Sequence, residues 1–385
     1  MPNEPAADGV IAALPDILAF VPGPGLMEIR RRFTSLAADA LGRRVAAVIG
    51  RDSARGASLR VRLAALPSDG LLRLITVPET IHRVLWPELY DADELARFLR
   101  LAVEAEHARD GREHELTRPT WTARGDVMVG GANDAATLAL NDFPPIVLGD
   151  PQRRRPTAVL AGDDDSLVPA DALRHVAGQL LEVRRRMRDC GDEIWAFTRE
   201  FTSTLVLRAG GGMGGSFGSS SPERYVGRSI LWNPHDPEVT VEDLAEAVVH
   251  EAIHTVMDSA DVLLTRATPA GVRWIVEPRL YDGVSRAASA WTGRELDVPT
   301  YVHACLVWYG LLCFWTRAMV SGAFDATTAR RRIIRAGGPF MRRSALEPLR
   351  PFMSAVRPDV AALLEAIQER VAEEFAGLSA AAAAR

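Results

Sequence analysis

The sequence predicts a mostly α-helical α+β fold, with a small β-sheet beside a helix that carries a His-Glu-x-x-His motif. Apolar residues recur at helical spacing along most of the chain, whereas residues 202–207 and 228–233 predict two strands. A length of 385 residues suits one large or two medium domains. We divide the chain into a helical N-terminal region (residues 1–120), a catalytic core (residues 121–323) and C-terminal helices (residues 324–385).

The composition is that of a soluble globular protein. Hydrophobic residues make up 48% of the chain and charged residues 25%. The formal net charge of -5 argues against nucleic acid as a partner. All 45 basic residues are arginine, which we interpret as a GC-rich coding bias. The most apolar segment, residues 301–320, contains His303 and Arg317, so it predicts a buried helix and no membrane span.

The cysteines indicate a reducing compartment. Cys190, Cys305 and Cys313 are too few and too irregularly spaced for a disulfide framework or a cysteine zinc site. Residues 1–8 lack the basic and apolar parts of a secretory signal. We therefore expect free thiols and a cytoplasmic protein.

The elements follow in chain order. Residues 9–50 predict helices, residues 57–78 predict short extended pieces, and residues 79–109 predict two helices split near Pro87. Residues 117–168 are rich in Pro, Gly and Asp and predict loops.

A short strand is expected at residues 146–148, within the loop-rich part. A long helix follows at residues 169–187. Gly and Ser dominate residues 209–221, which lack a phosphate-binding pattern. Both a flexible loop or lid beside the site and a simple linker fit this composition.

The C-terminal part predicts three helices. The first covers residues 325–336 and is expected to stop at the Gly-Gly-Pro sequence of residues 337–339. The others cover residues 340–349 and 359–375. Three interpretations stay open: these helices cover the site, bind a partner peptide or form a homodimer.

The motif itself is His250-Glu251-Ala252-Ile253-His254. Residues four apart lie on one face of a helix, so His250 and His254 can bind one metal ion. Glu251 can reach the same place as a base or as an orienting group. Because bare HExxH sequences are common, two solvated or hydrogen-bonded histidines remain the alternative.

The third ligand would decide the chemistry. A metzincin would need Gly and His where Met257 and Ala260 stand. Glu277 and Glu295 are carboxylate candidates for a peptidase. His303 is the strongest candidate by chemistry, because it begins an apolar helix where an imidazole needs a partner. A hydrogen bond to a carbonyl group would also satisfy it.

Three segments together resemble a known family. They are residues 249–254 (VHEAIH), 289–295 (SAWTGRE) and 302–310 (VHACLVWYG). Their order is similar to that of the HExxH motif domain found with ribosomally synthesised, modified peptides. The resemblance covers about residues 200–320, and it implies an iron(II)- and 2-oxoglutarate-dependent peptide β-hydroxylase that acts on a ribosomal precursor peptide.

The implied site is chemically consistent. His250, His254 and His303 would be the metal ligands, leaving positions for a bidentate 2-oxo acid and dioxygen. Glu251 would support the ligands, although direct ligation by Glu251 stays open because two histidines and a carboxylate are the commoner set. Arg294 would bind the distal carboxylate of the cosubstrate. A surface position is the alternative for Arg294.

Three aromatic residues in or near these segments are further candidates for the site. Trp291, Trp308 and Tyr309 could line the site, but core packing is expected for each.

A zinc metallopeptidase with Glu251 as general base is the second function. A non-catalytic peptide-binding module is the third, and the intact motif argues against it.

Overall fold

The protein is mostly helical with small sheets, as the sequence predicts. The computed structural model describes residues 8–51, 53–111, 120–129, 143–147, 166–210, 215–222, 224–267 and 283–383. The helices are α1 (Asp8–Leu18), α2 (Pro24–Arg51), α3 (Ser53–Ala64), α4 (Ser68–Thr76), α5 (Pro78–Leu85), α6 (Ala92–Arg109), α7 (Ala170–Cys190), α8 (Asp192–Phe201), α9 (Val241–Ala267), α10 (Val298–Ser321), α11 (Ala326–Arg343) and α12 (Pro358–Ala383). Two 3₁₀ turns cover Pro87–Leu89 and Glu347–Ala355. The strands are β1 (Thr120–Trp121), β2 (Met128–Val129), β3 (Ile146–Val147), β4 (Ser166–Leu167), β5 (Thr204–Ala209), β6 (Gly218–Ser220), β7 (Arg228–Trp232), β8 (Arg286–Ala288) and β9 (Glu295–Asp297).

The chain forms two compact units, each built from separated segments. We call the first the sheet unit; it comprises Arg31–Arg184 and Arg199–Thr255. The second, which we call the helical unit, comprises Met1–Arg30, Arg185–Thr198 and Val256–Arg385. The three-region division made from the sequence follows chain order and stays a prediction.

The sheet unit is built around one mixed sheet. Its strand order is β3-β5-β7-β6, with β3, β5 and β7 parallel and β6 antiparallel to β7; β4 also pairs antiparallel with β5. Alternate residues of a strand point to the same face. One face therefore holds an apolar cluster of Val147, Val206, Ile230 and Trp232. The predicted strands at residues 146–148, 202–207 and 228–233 are confirmed as β3, β5 and β7.

A series of buried polar side-chain contacts joins α5 to the start of β7. Arg228 forms an ion pair with Glu79, and its guanidinium lies 4.5 Å from the Tyr225 ring centroid. Tyr225 stacks on His82 at 4.1 Å, and the Tyr90 hydroxyl lies 2.5 Å from His82 Nδ1. Burial lowers the pKa of Arg228 to about 10. Because these charges are removed from water, loss of either partner would leave the other buried and unpaired, which destabilises the fold.

The helical unit is organised around α10, which packs on α1, α11 and α12. Within the described residues, α10 is also the helix long and apolar enough to cross a membrane. However, 67% of its most apolar window is buried inside the protein, as in a core helix. The expected buried helix at residues 301–320 is thus confirmed.

The expectation of extended pieces at residues 57–78 is wrong. This stretch forms α3 and α4. In α4, Leu74 and Ile75 are buried whereas Leu72 is 51% exposed. An apolar run this short fits both a strand and a helix, and the tertiary contacts select the helical spacing.

The predicted stop at residues 337–339 is also wrong, because α11 continues to Arg343. The lack of a side chain at Gly337 permits close packing, since a Cβ there would lie 2.1 Å from the Phe375 ring. Pro339 removes one backbone donor from the helix. Trp291 Nε1 donates to the Ala336 carbonyl at 2.8 Å, which satisfies an acceptor in this turn. Packing at Gly337 and the hydrogen bond from Trp291 therefore support the helix through a sequence that usually ends one.

Candidate functional site

The helix that carries the motif begins with a reciprocal cap. The Thr240 N–H donates to Asp243 Oδ2 at 3.0 Å, and the Asp243 N–H donates to Thr240 Oγ1 at 3.1 Å. Such pairs satisfy backbone donors that the first helical turn leaves open. The cap fixes where α9 starts, and so which residues face the core.

Nearly every side of α9 around the motif is buried. Residues with no exposed surface include Leu244, Ala245, Val248, Val249, Ala252 and Ile253. The partly exposed positions recur every fourth residue, at Glu246, His250 and His254. The two imidazoles therefore share the open stripe of an otherwise buried helix.

The imidazoles of His250 and His254 converge. Their Nε2 atoms are 3.2 Å apart and their ring centroids 4.9 Å apart. Two ligand nitrogens at about 2.1 Å from one divalent ion, about 100° apart, are separated by about 3.2 Å. The same distance also suits a hydrogen bond between the rings. Burial lowers the pKa of His254 to about 4, so its imidazole is neutral at pH 7, as metal binding requires.

The Glu251 carboxylate lies beside this pair. Its Oε1 accepts a hydrogen bond from Ser219 Oγ at 2.6 Å and is 3.9 Å from His250 Nε2. The side chain is 1% exposed. Its Oε2 is buried and has no hydrogen-bond partner among the described residues. Burial raises the pKa of Glu251 to about 8, against the smaller lowering effect of the Ser219 hydrogen bond.

These donors fit part of the ligand set of a divalent cation. Two neutral imidazoles point at one place, and a carboxylate with an unsatisfied oxygen lies next to them. A cation there would compensate the buried carboxylate and use both nitrogen lone pairs. Nitrogen and oxygen donors suit iron(II) and zinc alike.

The expectation of a loop or lid beside the site, or of a simple linker, at residues 209–221 is wrong for residues 218–220, while residues 211–214 lie outside the described residues. Part of this segment is β6, the last strand in the sheet order. Asn233 binds the described residues on both sides of the glycine-rich segment that precedes β6. Its Nδ2 donates to the carbonyls of Gly210 at 2.9 Å and Ser216 at 3.1 Å. Asn233 has a left-handed backbone with φ of 52°, a conformation that asparagine tolerates well.

Ser219 and Asn233 were not identified from the sequence. Glycine and serine have low strand propensity, so the composition of residues 209–221 indicated no strand. Asn233 carried one usable signal, an asparagine at the end of a predicted strand, where turns often begin.

The other predicted site residues lie in the helical unit. His303 is partly buried on α10, and Arg294 is exposed between β8 and β9. Among the described residues, no group of three or more His, Cys, Asp or Glu side chains could hold a metal ion. The structure thus brings together His250, Glu251 and His254, and the roles of His303 and Arg294 stay predictions. Glu295 is exposed on β9, and Glu277 lies outside the described residues.

The three aromatic residues considered as lining of the site divide into two groups. Tyr309 is 1% exposed, which confirms the expected core position. Trp291 and Trp308 are partly exposed and stack on each other, with ring centroids 5.8 Å apart and planes within 6°. Arg335 lies 5.2 Å from the centroid of Trp308.

The chain was also compared with known proteins. No protein-family model matches it, and no curated protein matches it either. The convergent imidazoles and the Ser219–Glu251 contact are therefore the observations from which function can be inferred.

Proposed function

We propose that this protein is a metal-dependent enzyme in which His250 and His254 bind iron(II), and that it hydroxylates a side-chain Cβ of a ribosomal precursor peptide. One observation carries the metal site: the 3.2 Å approach of the two Nε2 atoms beside buried Glu251. The choice of iron and 2-oxoglutarate rests on the resemblance of the three motif segments. When bound, the metal and cosubstrate supply the activation of dioxygen.

The protein's residues have distinct tasks in this proposal. His250 and His254 hold the ion, and His303 is the proposed third ligand. Glu251, fixed by Ser219, supports the ligand set, and a bound cation would stabilise the charged form of its carboxyl group. Exposed Arg294 is available to a carboxylate from solvent, and its planar fork suits bidentate binding of 2-oxoglutarate.

The sheet offers a way to hold an extended peptide beside Glu251. Within the described residues, β6 pairs with β7 on one side only and is an edge of the sheet. An edge strand presents backbone donors and acceptors to an added strand. Because Ser219 belongs to β6, a chain paired there would pass close to the motif helix. This geometry favours a peptide substrate.

A zinc metallopeptidase is the second candidate. The position of Glu251 favours it, since Oε1 lies 3.9 Å from His250 Nε2. A carboxylate at this distance can take a proton from a metal-bound water. Both candidates share the ion-binding pair and differ in the metal and in the role of Glu251.

We further propose a cytoplasmic location. Among the described residues, Cys305 and Cys313 are buried free thiols and Cys190 is a partly buried one. Free thiols fit a reducing compartment. Protection of the thiols in freshly isolated protein, measured by alkylation and mass spectrometry, would test this; a disulfide among them would contradict it.

The deciding experiment is anaerobic reconstitution with iron(II), followed by 2-oxoglutarate. We expect the visible charge-transfer band of a chelated 2-oxo acid in the wild type. His250→Ala and His303→Ala should each remove the band. His175→Ala, which changes an exposed histidine on α7, should keep it.

The same experiment separates the candidates. Tight stoichiometric zinc retention without any band would replace the oxygenase by the peptidase. A band that survives in His303→Ala would remove His303 from the ligand set. A protein that binds neither metal would overturn both proposals.

A further inference from the structure

The exposed face of α11 is strongly basic, although the whole chain is acidic. Its sequence, ATTARRRIIRAGGPFMRR, contains six arginines and no acidic residue, whereas the chain carries a net charge of -5. Asp325, immediately before the helix, is engaged in capping it through a 2.7 Å hydrogen bond from the Thr328 N–H. The positive charge of α11 is therefore not balanced within the helix.

The arginines surround two exposed apolar side chains. Ile334 is 53% exposed and Met341 46% exposed. At 3.6 residues per turn, about 140° of the helix surface contains Arg330, Met341, Ile334, Arg331, Arg342 and Arg335. Each of these residues is exposed. Ile334 and Met341 lie about 10 Å apart along the axis, with guanidinium groups on both sides. We call this surface the α11 stripe.

The opposite side of α11 is held firmly. Its buried residues are Ala329, Ile333, Ala336 and Phe340. The Phe340 carbonyl accepts from Gln368 Nε2 at 2.8 Å, and Gly337 lies against Phe375. A face presented by such a fixed helix is already ordered before it binds a partner, which reduces the entropic cost of binding.

We propose that the α11 stripe binds an acidic peptide segment whose two apolar side chains contact Ile334 and Met341. The carboxylates of that segment pair with the flanking arginines, whose planar forks match them. The inference rests on the proposed function, in which the segment belongs to the substrate peptide outside the modified residue. A membrane fits less well, because attachment grows with apolar area and this stripe offers two apolar side chains.

The test measures binding by fluorescence anisotropy of a labelled synthetic peptide. The probe consists of glutamate and alanine, with two leucines placed two helical turns apart. A second probe has glutamine in place of glutamate, and a third has serine in place of leucine. We expect the full-length protein to bind the first probe more tightly than the other two.

The variants are matched in charge. Replacing Arg330, Arg331 and Arg342 by glutamine should raise the Kd about tenfold. Replacing the exposed Arg60, Arg97 and Arg100 of α3 and α6 by glutamine makes the same change in net charge and should leave the Kd unchanged. Ile334→Ser with Met341→Ser should also weaken binding. Salt should weaken it too, because the Debye length falls from about 10 Å at 0.1 M to about 3 Å at 1 M.

Four results would overturn the proposal. They are equal Kd values for the two arginine variants, equal binding of the acidic and neutral probes, tighter binding to anionic vesicles than to the peptide, and a dimer that the α11 variant disrupts. Failure of the proposed function is recognised separately. The His250→Ala protein should keep its affinity for the probe. If the wild type binds the probe but shows no charge-transfer band, the proposal for the α11 stripe stands and only the oxygenase is refuted.

Discussion

The Ser219 hydroxyl donates a 2.6 Å hydrogen bond to Glu251 Oε1, joining an edge strand to the motif helix. The accepting oxygen is also the one that lies 3.9 Å from His250 Nε2. Glu251 is buried, and its other oxygen, Oε2, has no hydrogen-bond partner among the described residues. One serine therefore determines which carboxylate oxygen faces the paired imidazoles.

Removing this hydroxyl should weaken the metal site. We expect Ser219→Ala to lower the affinity for a divalent ion by about 10- to 100-fold, as loss of a group that orients a metal site does. Competition with a chromophoric chelator measures the change. Ser219→Thr should restore most of the affinity, since it keeps a hydroxyl.

The neighbouring serine provides the control. Ser220 Oγ accepts a hydrogen bond from Trp232 Nε1 at 3.2 Å, so Ser220→Ala alters the same strand on its other face. Its metal affinity should match the wild type. Equal losses in both alanine variants would mean that β6 acts only as scaffold, contrary to the expected role of Ser219.

The ion pair between Arg228 and Glu79 predicts a large stability effect. Glu79→Ala leaves the guanidinium buried without its carboxylate, which should cost about 3–5 kcal/mol of unfolding free energy. Urea denaturation measures this loss. Glu88→Ala, at an exposed position, should change stability by less than about 0.5 kcal/mol.

Replacing both members of this pair is the internal check. The double variant Glu79→Leu, Arg228→Met should recover most of the loss, because no charge then remains buried. A double variant less stable than Glu79→Ala would show that the pair itself, and not the unpaired charge, provides the stability.

His82 predicts a dependence of stability on pH. Burial, with smaller effects from Arg83 and Arg224, lowers the pKa of His82 from 6.5 to about 4. Between these values the unfolded chain binds a proton that the native state does not. The contribution of His82 is complete above pH 6.5 and is lost as the pH falls towards 4.

Urea midpoints measured from neutral to acidic pH test this effect. We expect His82→Gln to lose less stability than the wild type over that interval. The exposed His175→Gln should follow the wild-type profile. Parallel profiles for the wild type and His82→Gln would contradict the assignment.

Two adjacent glycines in α11 should respond in opposite ways. A Cβ at Gly337 would lie 2.1 Å from the Phe375 ring, so Gly337→Ala should cost about 1–3 kcal/mol. A Cβ at Gly338 would approach only the flexible end of Arg342, at 3.3 Å. Gly338→Ala should therefore gain up to about 1 kcal/mol from helix propensity. Thermal denaturation of both variants measures the two stability changes. Equal changes in Gly337→Ala and Gly338→Ala would contradict the packing explanation.

Much of the fold could be predicted from local patterns. The apolar spacing of α9 and α10 is helical over many residues, and residues 202–207, which overlap β5, are rich in β-branched residues, so each pattern favours one structure. The segment at residues 57–78 was misassigned because its apolar run is too short to separate the two periods. The Gly-Gly-Pro sequence was misassigned because its usual effect was overridden by contacts with Phe375 and Trp291.

The sequence by itself determined that His250 and His254 lie on one helical face, because four residues make about one turn of any α-helix. It also determined which sides of α9 are apolar. Only the tertiary structure decided that Ser219, a residue in a segment without strand propensity, reaches Glu251. That contact depends on pairing between β6 and β7 and on the hydrogen bonds from Asn233 to the carbonyls of Gly210 and Ser216. Such pairing depends on residues far apart in the chain, so no local pattern of residues 209–221 could reveal it.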